Sequence, residues 1–332
     1  MPTITLEKLK VAIQQKLQQA DVLAEHAAIV ADVLTFAEMR GVQSHGVIRL
    51  PLYLRRIAQG HITIRPDIQV TYLNDAVCKI NGDFAFGHVV AKKATDEAVA
   101  LAKKSGIGLA IVSNSTHCGA VGYYAHQAAK EGMISLLLTQ ADALVAPFGG
   151  RDAYLGVNPI TYGVPNADAE PIVLDMSTSN AAFGKVMVAR EQNTEIPPTW
   201  GLDADGNPTT NPHEVKALQA IAGAKGSGLA LFIDVVAGLL PGGNDTMYND
   251  LSQHRHLGQF IIAINPALFM QPEMFAKGVQ NMVAGLHEAV PAPGFKQVQL
   301  PGERSAEKAQ KAQQLGVRIS ESAYDLLKEE LE

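Results

Sequence analysis

The sequence predicts an α/β protein in which a central α/β unit carries helical chain ends. Three observations predict it. The first sixty and last forty residues show apolar positions at helical spacing. The middle alternates between short apolar runs and helical stretches, as in IGLAIV (Ile107–Val112), AVGYYAHQAAKEG and MISLLLT (Met133–Thr139). Strand, helix, strand in that order is a βαβ unit, which points to an α/β sheet. Finally, no GxGxxG follows a strand: KSGIGLAI offers Gly106 and Gly108 but puts Ile111 where a third glycine would fall. A dinucleotide site of the Rossmann kind is therefore not expected.

In chain order, Leu6, Leu9, Ile13 and Leu17 define a first helix. Ile29, Val33 and Phe36 define a second, stopped by Gly41. The segment GVQSHGVIRLPLYLRRI (Gly41–Ile57) reads as a third, helical from about His45. Ser44 stands as its N-cap, and Pro51 demands a kink or a later start. The alternating Ile68, Val70 and Tyr72 mark a change to β structure, with a boundary near residue 75. A helix over HVVAKKATDEAVALAKKSG ends at Gly106. Further strands fit ITYGVP, PIVLD (Pro171–Asp175) and QFIIAIN (Gln259–Asn265), and GLDADGNPTTNPHEV reads as turns. The chain ends in two helices, SAEKAQKAQQLG and SAYDLLKEELE. The division this suggests is 1–75 with 300–332 as a helical domain, and 76–299 as the α/β domain.

Composition narrows the function. The chain has 332 residues, 47% hydrophobic and 18% charged, and a formal net charge of −6. This is a folded chain with room for two cores. Its scattered basic residues and few aromatics argue against nucleic-acid binding. The apolar run Leu229–Leu240 is too short for a bilayer and contains Asp234. The N-terminus lacks a signal-peptide h-region. Cys78 and Cys118 form no CxxC, so neither a disulfide framework nor a zinc site is expected. A cytoplasmic protein is the consistent reading.

Chemistry concentrates in a few places. His117 follows a strand and precedes a helix, where ligands of open α/β sheets bind, and imidazole suits general-base work near neutral pH. Cys118 beside it allows a Cys/His hydrolase as an alternative from another class. Sequence neighbours often diverge, however, and packing is the better reading for the thiol. Along Gly41–Ile57, helical spacing puts His45, Arg49, Tyr53 and Arg56 on one face, with Val47, Leu50, Leu54 and Ile57 opposite. An arginine fork suits a substrate carboxylate. The loop in AGAKGSGLALFIDVVAGLL combines glycines with Lys225, a plausible phosphate cradle. Asp175 ends a strand and could hold ribose hydroxyls. His254 and His256, without nearby carboxylates, read as surface residues rather than a metal site.

RGVQSHGVIRLPLYLRRIAQG resembles the N-terminal signature of the type-2 malate/L-lactate dehydrogenase family, 2-hydroxyacid oxidoreductases distinct from the Rossmann dehydrogenases. GGRDAYLGVNPITYGVP, PIVLDMSTSNAAFGKV and AGAKGSGLALFIDVVAGLL continue the likeness over nearly the whole chain. IPPTWGLDADGNPTTNPHEVKAL, TMYNDLSQHRHLGQFIIAINPALF and VPAPGFKQVQLPGE resemble the branch that oxidises ureidoglycolate with NAD. The resemblance implies a homodimer, a helical domain built from both chain ends, and a non-Rossmann nicotinamide site on a mixed sheet. It implies NAD as cofactor, with NADP open, and a small 2-hydroxy acid as substrate. By position, His117 matches the family's catalytic histidine, with His45 the other acid/base candidate. Ser44, His45, Arg49 and Tyr53 match the substrate side, which leaves Arg56 a helix-surface or salt-bridge role. Asp175, Met176, Ser177, Lys225, Gly302 and Glu303 match cofactor contacts. Ala141 stands where close relatives often have serine, leaving a backbone-only contact or none. The loop PGGNDT (241–246) is shorter than is usual in the family.

Overall fold

A computed structural model describes residues 3–167, 169–244, 246–248 and 253–331. Part of the short 241–246 loop, Asp245, lies outside them. A seven-stranded sheet forms the centre. In spatial order it consists of Gln69–Asn74, Val77–Asn81, Ile107–Ser115, Leu257–Ile264, Ile134–Thr139, Ile160–Val164 and Ile172–Met176. It is mixed: Val77–Asn81 runs parallel to Ile107–Ser115, and the other neighbouring pairs are antiparallel.

One consequence corrects the simple βαβ expectation. Ile107–Ser115 and Ile134–Thr139 are not neighbours. Leu257–Ile264 enters between them, antiparallel to both. Its eight residues alternate toward full burial, and so central a strand fits only where both edges find partners. The large sheet takes its first strand from Gln69–Asn74, ahead of residue 75.

Helices Gly87–Ser105 and Gly122–Lys130 pack on this sheet through small residues, Ala91, Ala94, Ala98, Ala125 and Ala128, which let helix and sheet approach closely. A second sheet joins Pro208–Thr209, Gly201–Leu202, Ala217–Gln219, Ala143–Ala146 and Leu155–Gly156. Two of its strands lie in the segment expected to be turns only. They are two residues long, too short for any periodic signal.

The chain ends share one apolar core. Leu9, Ile13 and Leu17 of helix Leu6–Gln18 and Val30 and Leu34 of helix Ala24–Met39 meet Ile319, Ala323 and Leu327. Thr3–Ile4 pairs antiparallel with Val317–Arg318, and Lys16 bridges to Glu330 at 3.0 Å.

The segment opening at Gly41 departs from expectation. Residues Gln43–His45 and Val47–Arg49 form two tight 3-10 turns, and the α-helix begins only at Leu50, running to Ala58. Pro51 explains the late start: it fits the first helical turn, where its missing N–H costs nothing. Ser44 therefore caps no helix. Val47 and Leu50 are buried as the apolar stripe requires. Arg56 is buried too, 8% exposed, so it is no helix-surface residue, whereas Arg55 and Ala58 of the same turn are exposed.

Candidate functional site

His117 is held from several sides. The strand Ile107–Ser115 delivers it to the sheet end. The Thr116 hydroxyl donates to the Ala85 carbonyl at 2.9 Å and accepts from the Gly87 N–H at 2.9 Å. Gly87 must be glycine here: a Cβ would stand 2.0 Å from the Thr116 carbonyl oxygen. The Tyr124 hydroxyl donates to the Cys118 carbonyl at 2.6 Å. The imidazole itself bonds through Nδ1 to the Tyr53 hydroxyl at 2.8 Å, with the Gly119 N–H at 3.3 Å. Among the described residues no hydrogen bond engages its Nε2.

The 3-10 turns bring the rest. The His45 ring stacks on His117, centroids 5.7 Å apart and planes 17° from parallel. Ser44 Oγ lies 3.0 Å from His45 Nδ1, which is where its side chain goes in place of a cap. Arg49 folds back so that Nε donates to the Ser44 carbonyl at 2.6 Å. Its terminal nitrogens donate no hydrogen bond to the described residues and stay available to an anion. The structure thus gathers Ser44, His45, Arg49, Tyr53 and His117 into one cluster.

Electrostatics leave Arg49 as the one charged side chain of this cluster. Burial, reinforced by His45, Arg49, His88 and Arg255, holds His117 well below the ordinary imidazole range. Burial and Arg49 pull His45 down to about 4. Burial pushes the Tyr53 phenol up, so it stays protonated. His88, missed in the sequence, is fully buried at 5.1 Å from the Tyr53 ring, with both ring nitrogens lacking a partner among the described residues, and burial pulls it down to about 3. Cys118 is free and buried, and burial pushes its thiol up to about 12. A thiol so far from ionising is no nucleophile at neutral pH, which removes the Cys/His pair.

The cofactor-side candidates lie along a continuous wall. Asp175, at the end of the edge strand Ile172–Met176, accepts from the Gly122 N–H at 2.7 Å and the Thr161 hydroxyl at 2.8 Å. Each oxygen keeps a second lone pair. Ser177 follows Met176, and the next residues pair with the strand leading to Lys225: Ile221 N–H donates to the Thr178 carbonyl at 2.8 Å, and Asn180 N–H to that of Gln219 at 2.9 Å. Lys225 is exposed in the first turn of helix Ala224–Ile233. Ahead of it Ala222 and Gly223 take φ of 49° and 59°, a left-handed turn that opens the helix N-terminus. Gly302 abuts Val173 through Pro301, whose carbonyl accepts from the Val173 N–H at 3.3 Å. Glu303 is committed to His287, at 2.6 Å, and to the Leu300 N–H. Ala141 donates its N–H to Asn158 Oδ1 at 3.0 Å, so only its carbonyl side remains for a ligand.

The two walls meet. The helix Phe183–Gln192 starts beyond Ser177, and a Cβ at Gly184 would stand 3.9 Å from the Ser44 Cβ. An open lysine-bearing helix N-terminus and a strand-end carboxylate fit a phosphate and a ribose, so the donor set suits a dinucleotide.

Sequence reasoning missed a further group at the same sheet end. Gln140 accepts from the Gly258 N–H at 3.1 Å and donates to Asp234 at 3.0 Å. Next to it, Asp142 forms an ion pair with Arg255. His254 and His256 are not surface residues: they are partly buried against Phe84, at 4.5 and 4.9 Å. Among the described residues no three metal-ligating side chains converge, and no helix is long and apolar enough to cross a membrane.

An oxidised carbon needs a proton acceptor, an anchor for the acid and a place for a hydride carrier. This arrangement offers all three, which defines a hydroxy-acid oxidoreductase. The chain belongs to the malate/L-lactate dehydrogenase family, whose sequence profile matches residues 4–328. It is 39% identical over 329 residues to the ureidoglycolate dehydrogenase (NAD(+)) of Escherichia coli K12, covering 98% of this chain and 94% of the relative. In structure it is similar to malate dehydrogenase from Entamoeba histolytica, with a TM-score of 0.94, 28% identity and 99% and 97% of the two chains covered. It is also similar to sulfolactate dehydrogenase from Methanocaldococcus jannaschii, with a TM-score of 0.92, 33% identity and 99% and 96% covered.

Proposed function

We propose that this chain oxidises (S)-ureidoglycolate to oxalurate with NAD, a step of allantoin breakdown, as a cytoplasmic homodimer. The observation that carries the chemistry is the neutral His117, fixed by Tyr53 and stacked on His45 beside Arg49. The identity to the Escherichia coli relative supports the substrate.

Bound NAD would supply a hydride acceptor at nicotinamide C4. Asp175, Met176, Ser177 and Lys225 would hold it, with Ala141, Gly302 and Glu303 at its margins. Asp175 would repel a 2′-phosphate, which favours NAD over NADP. Arg49 pairs with the substrate carboxylate, and Ser44 and His45 orient the hydroxyl-bearing carbon. The hydroxyl proton goes to His117 Nε2 as the carbon gives up hydride. For Nε2 to accept, the resting proton sits on Nδ1 and is donated to the Tyr53 oxygen at 2.8 Å, a tautomer that gives up the longer 3.3 Å contact from the Gly119 N–H. His45, whose Nδ1 is engaged by Ser44, assists rather than accepts.

A second reading within the family is a malate- or lactate-type hydroxyacid dehydrogenase. It is favoured by the surplus positive charge of Arg49, Arg56 and Arg255 over Asp142, which a dicarboxylate would also neutralise. A spectrophotometric panel with ureidoglycolate, malate, lactate and sulfolactate, each with NAD and NADP, tests both. The highest kcat/KM with ureidoglycolate and NAD is expected, and a clear preference for malate would defeat the narrower reading.

The proposed homodimer is supported by exposed apolar side chains on two helical segments. Leu231, Phe232, Leu239 and Leu240 lie on one, and Met274, Met282 and Leu286 on the other. The two cysteines are free and buried, as suits a reducing compartment.

A further inference from the structure

We propose that Asp142 and Arg255 form the subsite that reads the tail of the substrate, the part beyond the hydroxyl-bearing carbon. The topology places them beside His117. Leu257 pairs with Ser115, and Gln259 with Thr139. Arg255 precedes Leu257, His117 follows Ser115 and Asp142 follows Thr139, so all three project from one end of adjacent strands. Gln140 locks that end by bonding Gly258 in both directions, its backbone N–H to the Gly258 carbonyl and its Oε1 from the Gly258 N–H, each at 3.1 Å.

The polar atoms of the pair are only partly used. Arg255 is 8% exposed, and its Nε is buried without a hydrogen-bond partner among the described residues. Asp142 is 29% exposed, its Oδ1 buried against Arg255. Among the described residues no hydrogen bond ends on Oδ2. A buried donor left unpaired costs free energy until something accepts from it. The field of Arg255 reaches both His117 and Arg56, consistent with its lying within the same site.

An acceptor edge next to a donor matches a ureido group, whose N–H adjoins its carbonyl. Asp142 Oδ2 accepts the ureido N–H, and the terminal guanidinium nitrogens of Arg255 donate to the ureido oxygen. A tail ending in carboxylate meets Asp142 as a like charge, and a methyl tail leaves both polar groups unpaired. Discrimination then comes from repulsion as well as attraction. This assignment deepens the proposed function and rests on it for the identity of the tail.

The test compares Asp142→Asn and Arg255→Lys with the wild type on ureidoglycolate and malate at saturating NAD, with circular dichroism to check folding. For folded Asp142→Asn, kcat/KM for ureidoglycolate is expected to fall by about 10–100-fold, the range for a hydrogen bond to a charged group. For malate it is expected to rise. Arg255→Lys keeps the charge but loses the planar guanidinium fork, and should lower the ureidoglycolate-to-malate ratio by about tenfold. A ratio unchanged in both variants, whether or not absolute rates fall, overturns the subsite. A wild type that prefers malate overturns the functional reading alone: Asp142→Asn must still raise kcat/KM for malate if the subsite is right.

Discussion

A histidine that takes a proton during oxidation must be neutral beforehand, and burial achieves that for His117. The sign decides its pH behaviour. A lowered pKa means the base form persists as pH falls, so kcat/KM for oxidation should stay level from neutral pH down past the ordinary imidazole range. An inflection at or above 6.5, the ordinary histidine value, in a pH–rate profile would contradict the assignment. His117→Ala should lower kcat by about 10²–10⁴ with little change in cofactor affinity, read by steady-state kinetics and NADH fluorescence. Near-normal turnover would transfer the role to His45. His45, Arg49 and Tyr53 were legible because they lie in one motif, where sequence spacing carries spatial information, and His117 because it stands between a strand and a helix. Asp142, Arg255 and His88 were not. Their meaning comes from strands far apart in sequence meeting at one sheet end, which no local pattern encodes.

At the scale of elements, the turns carrying Ser44 and Arg49 depend on a carboxylate from another helix. Glu38, 6% exposed, accepts the Val47 N–H at 2.8 Å, and burial lifts its pKa from 4.5 to about 7. A raised carboxyl pKa means the folded state holds the proton more tightly than the unfolded one. The associated stability is present below about 4.5 and is lost as pH rises through about 7. Glu38→Gln keeps the acceptor and removes the ionisation. Its stability relative to wild type should therefore rise between pH 5 and 8, by on the order of 2–3 kcal/mol, in urea titrations at both pH values. A difference independent of pH would show that Glu38 is not the titrating group. Most helices and long strands were readable from periodicity, and the start of helix Leu50–Ala58 from Pro51 once its place in a first turn is recognised. Strand order was not readable, because Leu257–Ile264 crosses most of the chain to sit beside Ile107–Ser115.

At the scale of the whole molecule, the apolar surface is unevenly placed. Helix Ala224–Ile233 continues through a π-helical stretch to Leu239, whose inner face buries Ala230, Ile233 and Ala237. Its outer face exposes Leu231, Phe232, Val235 and Leu239. A segment apolar on both faces needs two cores, and one chain supplies only the inner one. A second copy of the chain would cover the outer face, and a stable interface of this kind buries about 1,200–2,000 Å². Phe232 is 54% exposed, so placing a charge there disturbs little within the monomer. Phe232→Glu should shift the sedimentation velocity of a dimeric wild type toward the monomer, with far-ultraviolet circular dichroism preserved. If the site depends on the partner for its shape, KM should rise as the dimer dissociates. A variant that stays dimeric with unchanged kinetics would place the interface on another face.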